Sequence, residues 1–128
     1  MRSRSILIID DNPTNLQLAQ FLLSTAGFSV STATDPREGI RKAKRSLPDI
    51  ILMDVEMPGM DGLVATRQIK ADPALAHIPV VAVTADAMQG DKERCLAAGC
   101  VGYITKPIKT TEFATTVAQY LKEAKPGL

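Results

Sequence analysis

Five side chains of complementary chemistry stand at the ends of apolar runs in this chain: the acidic pair Asp10-Asp11, then Asp54, Thr84 and Lys106. The run before Asp54, Ile50-Ile51-Leu52-Met53, is apolar without interruption, as a central strand buried on both faces would be. The C-terminal ends of parallel strands share one edge, and α/β sheets bind their ligands there. With a strand order of 2-1-3-4-5, the first and third strands are neighbours about 5 Å apart. Asp10, Asp11 and Asp54 then crowd one small space. Without compensation at least one of them takes up a proton. A divalent cation resolves the conflict. No His or Cys falls at these strand ends, and an all-oxygen donor set favours Mg²⁺. A metal, an ammonium (Lys106) and a hydroxyl (Thr84) around one free carboxylate suit a transferring phosphoryl group, whose charge the metal and the lysine neutralise. Asp54 is then the nucleophile, as carboxylates are in aspartyl-phosphate chemistry. Each residue alone has an ordinary reading: a strand cap, a loop acid, a strand-ending threonine, a surface lysine. Their convergence on one edge argues against that reading for the set.

The elements that must position these groups alternate strand and helix five times. The first strand runs from Ser5 to the acidic pair. Asn12 and Pro13 supply an N-cap and a first helical position. Leu16, Ala19, Leu23 and Ala26 recur at helical spacing until Gly27. Phe28 to Thr32 alternates apolar and polar, as a sheet-edge strand does. Asp35-Pro36-Arg37-Glu38 is a capping-box analogue, and Ile40, Ala43 and Leu47 form the stripe of a second helix that Pro48 ends. Gly62 to Ala71 is a third helix, with Leu63 and Ile69 facing the core. His77 to Thr84 is the fourth strand, and His77 itself reads as a surface loop residue. The fourth helix, about Ala87 to Ala98, has only Met88, Cys95 and Leu96 to bury, so it is weakly held and a candidate for movement. Gly99 caps it. Val101 to Thr105 is the fifth strand. The last helix, about Thr111 to Ala124, presents Phe113, Val117, Tyr120 and Leu121, with Lys122 and Lys125 suiting its C-terminal dipole. Alternation of this kind predicts an α/β fold with a parallel sheet and helices on both faces.

Composition narrows the function classes. The 128 residues predict one domain, with its core over 5–124. A formal net charge of +1 argues against bulk electrostatic binding to nucleic acid or anionic membrane. No apolar run approaches the ~20 residues that span a bilayer, and the N-terminus offers no signal-peptide pattern. Cys95 and Cys100, about 140° apart on one predicted helix, are poorly placed to bridge each other, and a reduced, cytoplasmic compartment follows.

The carrying residues together resemble a response-regulator receiver domain of two-component signalling: Asp10-Asp11; Asp54 within Leu-Met-Asp-Val-Glu-Met-Pro-Gly-Met-Asp-Gly; Thr84-Ala85; and Tyr103-Ile104-Thr105-Lys106-Pro107. The resemblance runs from Ile6 to about Leu121. The segment Ala76 to Ala85 is similar to single-domain regulators of the DivK type, although receivers attached to hybrid histidine kinases share much of the pattern. The resemblance implies a doubly wound (βα)5 three-layer sandwich with its parallel sheet in the order 2-1-3-4-5, flavodoxin-like. It also implies roles. Asp54 accepts phosphoryl from a phosphohistidine on a sensor histidine kinase or histidine phosphotransfer protein. Asp11, Asp54 and the backbone carbonyl of Glu56 coordinate Mg²⁺, with Asp10 acting through a metal-bound water. Lys106 pairs with the phosphoryl group, Thr84 moves inward to hydrogen-bond it, and Tyr103 follows from an exposed to a buried rotamer. The Lys106-Pro107 bond is cis. Ala85 is small and leaves the site open, while Glu56 and Asp86 border the phosphoryl group and tune its lifetime. Output passes to a downstream protein through the face formed by helix 4, strand 5 and helix 5. Neither nucleic acid nor membrane insertion is involved, and the chain catalyses only its own phosphorylation and dephosphorylation.

Three readings stay open at this point. The chain is a stand-alone phospho-acceptor switch, or a receiver cut from a hybrid kinase or multidomain regulator. The third is a Mg²⁺-dependent aspartyl-phosphate phosphotransferase or phosphatase. Enzymes of that third, haloacid-dehalogenase type usually carry the nucleophile after the first strand, where the acidic pair stands here, but they need a substrate-covering cap, and this short chain shows no evident one. A flavin-binding protein is disfavoured because no loop is an obvious phosphate cradle.

Overall fold

Five parallel strands form one sheet in the order β2-β1-β3-β4-β5. The structure is a computed structural model, and it describes residues 4–56, 61–85 and 89–124. The elements are β1 (Ser5–Ile9), α1 (Pro13–Thr25), β2 (Ser29–Ala33), α2 (Pro36–Ser46), β3 (Ile50–Asp54), α3 (Gly62–Ala71), β4 (Val80–Thr84), α4 (Gln89–Ala98), β5 (Gly102–Thr105) and α5 (Phe113–Ala124). This is the flavodoxin-like (βα)5 arrangement expected from the sequence.

The apolar runs are buried because they face two cores, one on each side of the sheet. Ile6, Ile8, Ile50, Leu52, Val81 and Val83 pack toward α1 and α5. Leu7, Ile9, Ile51, Met53, Val80 and Ala82 pack toward α2, α3 and α4. Successive residues of a strand point to opposite faces, so a strand with helices on both sides must be apolar at every position. Only edge strand β2 alternates, with Ser29 and Ser31 exposed. Asp49 ties the entry of the sheet together: its Oδ2 accepts from the Ser5 amide at 2.7 Å, joining the starts of β1 and β3.

Helix ends follow local chemistry. Asn12 caps α1 by accepting from the Thr14 and Asn15 amides. Asp35 caps α2 through the Glu38 amide. The reciprocal half of that box is displaced by one residue, since the Glu38 carboxylate takes the Thr34 amide. α1 and α4 end alike. Gly27 (φ 102°) and Gly99 (φ 112°) adopt the left-handed conformation. Phe28 N then donates to Leu23 O, and Cys100 N to Cys95 O. That six-to-one bond is the Schellman cap.

Several expected core positions differ. Ala26 is exposed, because it is already the C-cap of α1. Leu47 is half exposed and lies outside α2: a residue before proline is disfavoured in helical conformation, and Leu47 takes φ 47° as the left-handed cap. In α4, Cys95 and Ala98 are buried while Leu96 is exposed. Met88 lies outside the described residues. β4 starts at Val80, and His77 is an exposed residue of the preceding turns. Cys100 follows the Gly99 cap and is not in the helix. Neither cysteine is in a disulfide, and both are buried. Burial pushes the Cys100 thiol up to about 11, against a smaller opposing effect of its bond to Thr66, so it stays protonated at neutral pH. Among the described residues no helix is long and apolar enough to cross a membrane.

One glycine sets the position of α3. A Cβ built on Gly62 would lie 2.2 Å from the Asp54 carbonyl oxygen and 2.8 Å from Val55 Cα, both backbone atoms. The helix therefore begins directly against the last residue of β3. Alanine is ordinarily favoured over glycine in a helix by about 1 kcal/mol. Here Gly62→Ala is expected to destabilise the protein instead, by about 2 kcal/mol as overpacking does; urea or thermal unfolding measures the sign.

Candidate functional site

Registry brings the acidic groups together. Ile9 pairs with Met53 across β1 and β3, so the residues that follow, Asp10 and Asp54, emerge side by side. Asp54 pairs with Val83, and Thr84 with Thr105. Asp10, Asp54 and Thr84 are buried, Asp54 and Thr84 to within 2% of full coverage, while Asp11 is exposed. One oxygen each from Asp10, Asp11 and Asp54 lies within 4.8 Å of the others. This hard, triply anionic oxygen set fits a divalent cation.

Lys106 is the cation already in place. Its Nζ lies 3.1 Å from Asp54 Oδ1 and 3.8 Å from Asp10 Oδ2. The chain holds it there through β5, because the Lys106 amide donates to the Thr84 carbonyl at 2.8 Å. The peptide bond that follows, to Pro107, is cis. Asp54 Oδ1 also accepts from the Glu56 amide at 3.0 Å. Asp10 accepts from the Asn12 amide at 2.9 Å. Burial raises the Asp10 carboxyl above its ordinary value. The Asn12 bond and Lys106 oppose the rise; the Asp54 charge, and the hydrogen bond a protonated Asp10 can give Asp54, add to it. Asp10, buried beside Asp54 and Lys106, thus holds a charge it does not readily bear alone.

The remaining sequence candidates spread outward. Ala85 is exposed just past β4, and its amide donates to Glu56 Oε1 at 2.9 Å. Tyr103 is half-buried against the core on the α4 side. Asp86 lies outside the described residues. Sequence reasoning missed Gly62, whose required absence of a side chain shows only in three dimensions. It also missed Asp61, which caps α3 through the Leu63 and Val64 amides; an Asp before a helix start is a readable signal. The bond between the Glu56 carboxylate and Ala85, 29 residues apart, has no local sequence signature.

Known proteins agree with this geometry. Residues 6–118 match the response regulator receiver domain family. The chain is 40% identical over 121 residues to the polar-differentiation response regulator DivK of Brucella anthropi, covering 94% of this chain and 98% of that protein. It is 36% identical to the receiver domain of the sensor histidine kinase PA1611 from Pseudomonas aeruginosa, solved with a magnesium ion coordinated in its active site cleft. That likeness has a TM-score of 0.85 and covers 94% of this chain and 99% of that one. The Vibrio cholerae chemotaxis protein CheY4 superposes with a TM-score of 0.88 at 27% identity, covering 92% of this chain and 98% of that one.

The raised Asp10 value has a thermodynamic sign. An acid whose folded value exceeds its unfolded one binds protons more tightly when folded, so its contribution to stability falls as pH rises through that interval. In metal-free protein at neutral pH, Asp10→Asn is expected to stabilise the fold on the order of 1 kcal/mol, a typical single-substitution effect. The gain should fade as pH drops toward the unfolded value of 3.8 and shrink as Mg²⁺ is titrated in, because a cation that binds only the folded state stabilises it. Urea titrations across pH, with and without Mg²⁺, measure both trends.

Proposed function

The chain belongs to the response-regulator receiver family, phospho-accepting domains of two-component signalling, and from that premise we propose that Asp54 is the phospho-acceptor and Mg²⁺ the cation held beside it. The observation that carries this reading is the convergence of Asp10, Asp11 and Lys106 on the buried Asp54 carboxylate.

Asp54 Oδ1 carries both donors, Lys106 Nζ and the Glu56 amide. With Oδ1 so engaged, Oδ2 is the attacking oxygen in this reading. Attack forms the new phosphorus–oxygen bond and breaks the phosphorus–nitrogen bond of a phosphohistidine, whose electron pair returns to the imidazole. Lys106 meets the charge spread over the transferring group. Asp11, Asp54 and the Glu56 backbone carbonyl would hold Mg²⁺, with Asp10 reaching it through water. The cation supplies charge neutralisation for three carboxylates and a phosphoryl group at once. The donor is a histidine kinase or histidine phosphotransfer protein, as family membership implies.

Phosphorylation adds roughly two negative charges and strong acceptor oxygens. Thr84 answers with its hydroxyl, Ala85 leaves room for the group, and Tyr103 follows Thr84 inward. The downstream partner then reads α4, β5 and α5. In support, Tyr103, Lys109, Glu112, Phe113 and Tyr120 border a surface cavity of about 400 Å³ between β5 and α5. The identity to DivK, 40% against 36% for the kinase receiver, favours a cytoplasmic regulator of the DivK type, with the described core as one domain. The likeness to the Pseudomonas kinase receiver favours a second reading, a receiver from a hybrid kinase.

With Mg²⁺ and acetyl phosphate, wild-type protein should take up one acid-stable, base-labile phosphoryl group, and Asp54→Asn should take up none. Label retained in Asp54→Asn would sink the assignment. Asp11→Ala should weaken Mg²⁺ binding by at least about tenfold, the usual scale for loss of a metal-ordering group; tyrosine fluorescence or calorimetry reads the affinity.

A further inference from the structure

Glu56 reaches across the site rather than away from it. Its amide donates to Asp54 Oδ1 at 3.0 Å, while its carboxylate Oε1 accepts from the Ala85 amide at 2.9 Å. The side chain therefore ties the exit of β3 to the exit of β4. Ala85 directly follows the buried Thr84, whose carbonyl is held by the Lys106 amide. A backbone amide presented at this point is a donor suited to an anion, and the anion on it in this structure is the Glu56 carboxylate.

We propose that Glu56 is an internal stand-in for the phosphoryl group: a latch that occupies the Ala85 amide while Asp54 is unmodified and is expelled when Asp54 is phosphorylated. The inference rests on the reading of Asp54 as phospho-acceptor and gives Glu56 a direction of effect. A phosphoryl group on Asp54 brings about two negative charges within two residues of the Glu56 carboxylate. The two anions repel, and the phosphoryl oxygens compete for the same amide. Glu56 is exposed, so it leaves the latch for water without a desolvation cost. Ala85 is then released from the exit of β3 and free to follow Thr84. Glu56 acts here as a positioning residue: its side chain works through Ala85 and not on the reacting atoms. The latch favours the unmodified state, so its loss raises the affinity of the site for a phosphoryl-like anion. A hydrogen bond to a charged acceptor, discounted for exposure, corresponds to a change of about three- to tenfold.

The test uses the full chain as wild type, Glu56→Ala and Glu56→Gln, at saturating Mg²⁺, with beryllium fluoride as the phosphoryl mimic. Hydrogen exchange at the Ala85 amide, followed by NMR in the absence of the mimic, reports the latch. Glu56→Ala should speed that exchange about tenfold and bind beryllium fluoride about three- to tenfold more tightly. Glu56→Gln keeps an acceptor oxygen without the charge, so it should retain partial protection and show a smaller gain. A merely structural loss would weaken anion binding in both variants and overturn the proposal. Unchanged Ala85 exchange in Glu56→Ala would overturn it too, as would an equal gain in both variants with Ala85 still protected, which would leave charge alone responsible. Wild-type protein that neither binds beryllium fluoride nor takes label from acetyl phosphate would instead overturn the reading of Asp54 itself.

Discussion

Three carboxylates at the ends of two adjacent strands form an arrangement that is unstable by itself, and the rest of the structure compensates for it. Asp10 and Asp54 are both buried, and among the described residues a single ammonium, that of Lys106, approaches them. Burial and mutual repulsion push Asp10 toward its protonated form. The site is therefore charged with more anion than it can neutralise, and that deficit favours a bound cation. Holding such a set needs a rigid frame. The frame is a sheet whose central strands are apolar on both faces and whose entry is tied by Asp49 to Ser5.

Much of the frame was legible because its causes are local. A central parallel strand must be apolar where helices cover both its faces, and β1, β3 and β4 are apolar apart from Ser5 at the sheet's entry and Asp54 and Thr84 at its exit. Asn12-Pro13 and Asp35-Pro36 announce helix starts, and Gly27 and Gly99 announce stops, through rules that operate within a few residues. The site was legible for a different reason: in a parallel sheet one edge collects every strand end, so sequence position alone indicates proximity. The errors lie where a tertiary or backbone effect overrides periodicity. Leu47 falls on the apolar stripe of α2, but the following proline takes it out of the helix and into solvent. Cys100 reads as part of the helix that carries Cys95 yet lies beyond the glycine cap. The contact between Gly62 and Asp54, and the bond between Glu56 and Ala85, join segments that no pattern in the chain links.

The two faces of the sheet are filled differently. On one side α1 and α5 bring long apolar residues, Leu16, Leu23, Phe113, Val117 and Leu121, onto the sheet. On the other side α4 contributes Cys95 and Ala98 among its described buried residues. Small contacts give up less when a helix shifts, since apolar burial scales with area. The Schellman bond from Cys100 to Cys95 nevertheless fixes the C-terminal end of α4 to the start of β5, so resistance to displacement is concentrated at that end.

The fit of Gly62 against the Asp54 carbonyl leaves no clearance between α3 and the strand it follows. A part with no clearance cannot serve as a moving part: α3 travels with Asp54 or stays still with it. The molecule is thereby divided into an anvil, made of β1, β3 and α3, and a side that begins after β4, joined to it by contacts that include the Glu56 carboxylate on Ala85, Lys106 on Asp54 and Asp10, and Cys100 on Thr66. Variation in what such a protein tells its partners has room on the second side. The first has almost none, because one added methyl group at its tightest point already collides with the residue at the centre of the site.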